Sequence, residues 1–106
     1  TQSQKKPGVR GQFATGAYLD DASSPAAATL TLGFVPRYFH WLNATDRIGY
    51  EWFNGMAGGT TLKTIAAGTR TLDTADVAIT VNANGTVTIG AAAIIQNKQN
   101  YWVAIA

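Results

Sequence analysis

From Thr29 to the last residue, apolar and polar side chains alternate with a period of two, and before Thr29 they do not. This alternation is the strongest constraint on the fold, because it places every second side chain on the same face of a pleated strand. The chain divides into a body, residues 29–106, and a leading arm, residues 1–28, that lacks a core pattern. Ordering those 28 residues costs on the order of 40 kcal/mol, which about 1,600 Å² of apolar burial would offset. Val9, Phe13, Tyr18 and Leu19 cannot supply that area by folding on themselves. The arm is therefore expected to lie on another surface, a second chain, adding backbone hydrogen bonds to a sheet edge. Its expected contact residues are Lys5, Lys6, Arg10, Phe13, Tyr18 and Leu19.

Within the body, Leu30, Leu32 and Phe34 alternate with Thr29, Thr31 and Gly33. Pro36 interrupts this run because it donates no ladder hydrogen bond. Residues 37–43 and 47–53 form an expected aromatic hairpin about Asn43-Ala44-Thr45-Asp46, with Ile48, Tyr50 and Trp52 on one face. Two short threonine-rich strands are expected at 60–66 and 69–73. The pair 77–82 and 86–91 fixes its own register. A two-residue turn at Asn84-Gly85 would mix apolar and polar residues on each face, whereas a three-residue loop, Ala83-Asn84-Gly85, sets Val81 opposite Val87 and Ile79 opposite Ile89. Residues 91–99 read equally as strand or as one helical turn. The chain closes as a strand with Tyr101, Val103 and Ile105 on one face and Trp102 on the other, so that both faces are candidates for cover. About eight short strands separated by regular turn signals predict an all-β antiparallel β-sandwich, jelly-roll-like, with an extended N-terminal arm.

A body of this size builds only a marginal core, and small domains add a staple. With no Cys and a single His, disulfides are excluded and a structural zinc is not expected, which leaves oligomerisation. No charged-then-apolar leader opens the chain, and the apolar run at 90–95 is too short to cross a bilayer, so a non-secreted gene product without a membrane partner is expected. The net charge of +2 is mild, and its excess in the arm is no nucleic-acid footprint.

The residues give no catalytic constellation, and neither an enzyme nor a cofactor is expected. His40 has no partner base in its strand. Glu51 reads as a solvated or Arg-paired strand residue, with Arg47 and Arg37 as candidates. Asp20 and Asp21 read as turn or cap residues rather than a calcium site. Tyr38, Trp41, Tyr50 and Trp52 permit two readings: core and subunit interface, or a stacking platform for sugar rings.

Four strings, Gly33-Phe34-Val35-Pro36-Arg37, Tyr50-Glu51-Trp52-Phe53-Asn54-Gly55-Met56, Thr69-Arg70-Thr71-Leu72 and Tyr101-Trp102-Val103-Ala104, resemble a pattern in small virion structural proteins of tailed bacteriophages, of the capsid decoration or cement type. The resemblance covers residues 33–106 and leaves the arm outside. It implies a non-enzymatic protein, made in the host cytoplasm, that self-associates, with trimers favoured, and binds the major capsid protein on the exterior of the virion. A glycan- or receptor-binding module of a phage tail or head fibre is the alternative. No residue role carries over from the family.

Overall fold

The computed structural model describes residues 12–106. Its strands are β1 (Phe13–Tyr18), β2 (Ala28–Thr31), β3 (Tyr38–Asn43), β4 (Ile48–Phe53), β5 (Thr61–Thr64), β6 (Arg70–Asp73), β7 (Ile79–Val81), β8 (Thr86–Ile89) and β9 (Asn100–Ile105), with one helical turn, α1 (Ala91–Ile94). They form two antiparallel sheets, one six-stranded in the order β1-β9-β3-β4-β5-β6 and one three-stranded in the order β2-β8-β7. The antiparallel sandwich expected from the alternation is present.

Register decides which side chains meet between the sheets. On the large sheet Phe39, Trp41, Tyr50, Trp52 and Ala104 turn inward; on the small sheet Ile79, Val87 and Ile89 do so, joined by Ala93 and Ile94 of α1. Phe39 stacks on Trp102, with ring centroids 5.7 Å apart. The Trp41 indole donates from Nε1 to the Ala93 carbonyl at 3.1 Å, so the polar atom of this buried ring is satisfied and α1 is fastened to β3.

The β7–β8 hairpin has the register derived from the alternation, with Val81 opposite Val87 and Ile79 opposite Ile89. Gly85 sits at φ +86°, and a Cβ there would come within 3.3 Å of the Phe34 backbone nitrogen. Both the left-handed conformation and the close strand approach require glycine. At the β3–β4 turn, the Asp46 N–H donates to Asn43 Oδ1 at 3.0 Å, an Asx contact that closes the loop.

The arm is where the structure departs from the sequence expectation. Residues 13–18 add to a sheet edge of their own chain: as β1 they pair in register with β9, from Phe13 opposite Ile105 to Tyr18 opposite Asn100. Tyr18 packs against Trp41 at 5.9 Å between centroids, and Gly16 lies under the Trp102 indole, where a Cβ would stand 2.6 Å from the ring. Beyond β1, the Asn97 N–H donates to the Asp20 carbonyl at 2.8 Å, and Gln96 donates to the Asp21 carbonyl at 3.1 Å. Apolar area alone does not offset the cost of ordering the arm. For residues 13–18, ladder hydrogen bonds to β9 and the contacts of Gly16 and Tyr18 with two tryptophans add to that area within the subunit. Lys5, Lys6 and Arg10 lie outside the described residues.

Candidate functional site

The two sheets present very different outer faces. On the small sheet, Thr29, Thr88 and Thr80 lie side by side across three strands, and Thr31 sits opposite Thr86. Asn82 ties this surface together, its amide donating to Thr86 Oγ1 at 3.0 Å and to Thr88 Oγ1 at 3.1 Å. This face is polar and suited to water.

The large sheet reverses that chemistry. Its register aligns Phe13, Ile105, Tyr38 and Phe53 in one row across β1, β9, β3 and β4. A second row runs Thr15, Val103, His40, Glu51, Leu62, Leu72, and a third runs Ala17, Tyr101, Leu42, Gly49, Thr64, Arg70. Phe13 is 73% exposed, Leu72 69%, Tyr101 50%, Phe53 47% and Ile105 44%. With about 200 Å² per aromatic side chain, these five groups expose on the order of 500 Å² of apolar surface. That sum, divided across the sheet by Tyr38, Glu51 and Arg70, is comparable in area with the apolar patches that commonly serve as binding sites.

A small polar cluster sits in the middle of this face. The Tyr38 hydroxyl donates to Glu51 Oε2 at 2.7 Å, and Arg70 approaches Glu51 Oε1 at 3.9 Å from an exposed position. Arg70 thus takes the place expected for Arg37 or Arg47. Partial burial, followed by the hydrogen bond to the Glu51 carboxylate, pushes the Tyr38 phenol up to about 12. Tyr38 therefore remains a neutral donor throughout the physiological range. Two adjoining shallow depressions, of about 180 and 260 Å³, meet at His40 and Leu42; Tyr101 and Val103 line the first, and Arg47, Glu51 and Arg70 line the second. Among the described residues no three His, Asp or Glu side chains converge on a common point. No described helix is long and apolar enough to cross a membrane.

Of the expected contact residues of the arm, the three that are described, Phe13, Tyr18 and Leu19, do not converge. Phe13 faces outward on the apolar surface, Tyr18 faces inward against Trp41, and Leu19 lies just past β1, 55% exposed. The sugar-platform reading of the aromatics is corrected for three of its four residues: Trp41, Tyr50 and Trp52 are buried in the core, and only Tyr38 reaches the outer face. The outer-face residues Phe53, Leu72, Tyr101 and Ile105 were not singled out from sequence as site residues. For Tyr101 and Ile105 the signal is the doubly apolar alternation of 101–105, which marks a strand with both faces in need of cover; Phe53 and Leu72 join them only through the strand order.

Comparison with family models, with curated proteins and with solved structures gives no match to this chain. The class is therefore set by geometry: an antiparallel β-sandwich with one solvated and one apolar outer face.

Proposed function

We propose that this chain is a non-enzymatic structural protein that decorates the capsid of a tailed phage from outside, associating with its own copies and with the major capsid protein. The observation that carries the reading is the apolar outer face of the six-stranded sheet. A soluble monomer gains nothing from keeping three aromatic and two aliphatic side chains in water on one sheet face, whereas an assembly module buries them. Three of the four strings that resemble phage virion proteins lie along β4, β6 and β9 and contribute Glu51, Phe53, Arg70, Leu72, Tyr101 and Val103 to this face. Lys5, Lys6 and Arg10 add positive charge ahead of β1. On a shell, many such contacts repeated over a lattice hold by avidity, so no single site needs high affinity.

The test is co-sedimentation of the full chain with empty shells of the parent phage. Wild type and the Thr88→Asp control on the threonine face are expected to pellet with shells, and Tyr101→Asp and Leu72→Asp are expected to stay in the supernatant. Equal pelleting of all four proteins would overturn the reading. A glycan-binding module has less support, because its strongest stacking groups, Trp41 and Trp52, are enclosed by the sandwich.

A further inference from the structure

The open edge of β1 offers a second, independent surface, and we propose that it pairs with the same strand of a second copy, antiparallel about a two-fold axis at Thr15, to make one continuous sheet across two subunits. The inference specifies how copies join. It rests on the self-association in the reading above but not on the capsid.

The phase of the β1–β9 ladder determines what the open edge presents. The Ala106 N–H donates to the Gln12 carbonyl at 2.8 Å, so by antiparallel alternation Gln12, Ala14, Gly16 and Tyr18 turn their backbone groups toward β9. Phe13, Thr15 and Ala17 turn theirs the other way, leaving three N–H and three C=O groups without a ladder partner among the described residues. The other edges of the two sheets are protected in ways β1 is not. Strand β6 is four residues long and carries Arg70 and Asp73 at its ends, β2 has four residues and β7 three. Strand β1 has six residues, FATGAY, with no charge and no proline. An edge of this length without charge, proline or bulge is a template for strand addition.

The strand also complements itself. Two-fold pairing at Thr15 sets Thr15 against Thr15 of the second copy and Phe13 against Ala17, a large side chain beside a small one on the same face. Every free N–H of Phe13, Thr15 and Ala17 then meets a carbonyl. Side-chain parity is preserved, so the apolar outer faces of the two large sheets run on into each other. Tyr18, Gly16 and Ala14 stay on the inner face, where Tyr18 and Gly16 already have their contacts. The symmetry is isologous and closes at two. This differs from the trimer that the family resemblance implies.

The decisive experiment measures the mass of the full chain by sedimentation at sub-micromolar and high-micromolar concentration, together with hydrogen exchange at the amides of Phe13, Thr15 and Ala17. A dimer at high concentration, with these three amides protected only in the dimer, is the expected result. Thr15→Pro removes an N–H that β9 does not use, so the subunit is expected to fold while the dimer dissociation constant rises about tenfold or more. Ala17→Lys, which sets a charge beside Phe13 of the second copy, is the parallel variant should proline disturb the strand. Three results overturn the proposal: a dimer that both variants leave intact, an oligomer of three, or protection of these amides in a species of monomer mass, which would assign the edge to another segment of the same chain. Wild type that stays monomeric with unprotected edge amides would remove the self-association itself. Shell binding retained by a monomeric Thr15→Pro would leave the capsid reading standing without it.

Discussion

The threonine face and the aromatic face belong to the same sandwich and enclose the same core, yet only one is finished as a surface. On the small sheet the alternation is complete: apolar inward, Thr29, Thr31, Thr80, Thr86 and Thr88 outward, with Asn82 bonding across them. On the large sheet the inward positions are mostly apolar, with Asn43, Asn100 and Thr61 buried among them, and many of the outward positions are apolar too. The difference shows that sheet formation and surface function are separate demands on a strand. A strand needs only one buried face to fold, so apolar residues on its second face ask for a different explanation.

The largest test of this comparison concerns the shared core. Trp41→Ala is expected to cost about 3–5 kcal/mol and to unfold both sheets in one transition, followed by urea titration with far- and near-ultraviolet circular dichroism. Two separated transitions would mean that the faces belong to independent units. Next in size is Gly16→Val, whose added carbons meet the Trp102 ring that is itself stacked on Phe39. A loss of about 1–3 kcal/mol is expected, with amide exchange rising in β1 and β9 before the threonine sheet responds.

A pH-dependent test follows from Asp76, which accepts from Lys63 Nζ at 2.8 Å and from the Tyr50 hydroxyl at 2.8 Å. The Lys63 hydrogen bond, aided by Tyr50 and opposed by burial, holds the Asp76 carboxyl below its usual range. Burial and the bond to Asp76 hold the Tyr50 phenol well above its own range. A depressed carboxyl contributes stability that is fully present above the unfolded value of about 3.9 and lost as pH falls through the folded one. Asp76→Asn is therefore expected to be less stable than wild type at neutral pH, with the gap in melting temperature closing under acid. A gap that persists below that range would place the effect in packing.

The smallest effect sharpens the comparison most directly. Leu72→Ser on the aromatic face and Thr29→Ser on the polar face are each expected to change stability by no more than about 0.5 kcal/mol. Only Leu72→Ser should shorten retention on a hydrophobic-interaction column. Equal retention would mean that the exposed apolar side chains do not act as a patch.

Much of this was legible in the sequence for physical reasons. Val81 opposite Val87 follows from requiring one apolar face, and the aromatic hairpin follows from alternating large residues on either side of an Asn/Asp turn. What escaped was β1, since FATGAY has small residues at the positions that turn inward, Ala14 and Gly16, and so shows no core pattern. It is held by side chains that belong to others, the indoles of Trp102 and Trp41. Val77 and Ile95, β-branched residues at φ 46° and 54°, were also beyond local pattern reading, because β-branched side chains disfavour that conformation. The candidate surface was half legible: the doubly apolar 101–105 segment was visible, but its neighbours depend on a strand order that no local pattern encodes.

Strand β9 lies between β1 and β3 and touches both along its whole length. It is also the last of the described strands to leave a ribosome. Until it emerges, the first strand has no ladder partner and β3 has only one, so the nascent chain must carry its aromatic hairpin incomplete while synthesis proceeds. Closure of the large sheet is thus a single late event joining segments from opposite ends of the described chain, a long-range step of the kind that slows folding and exposes it to capture by chaperones.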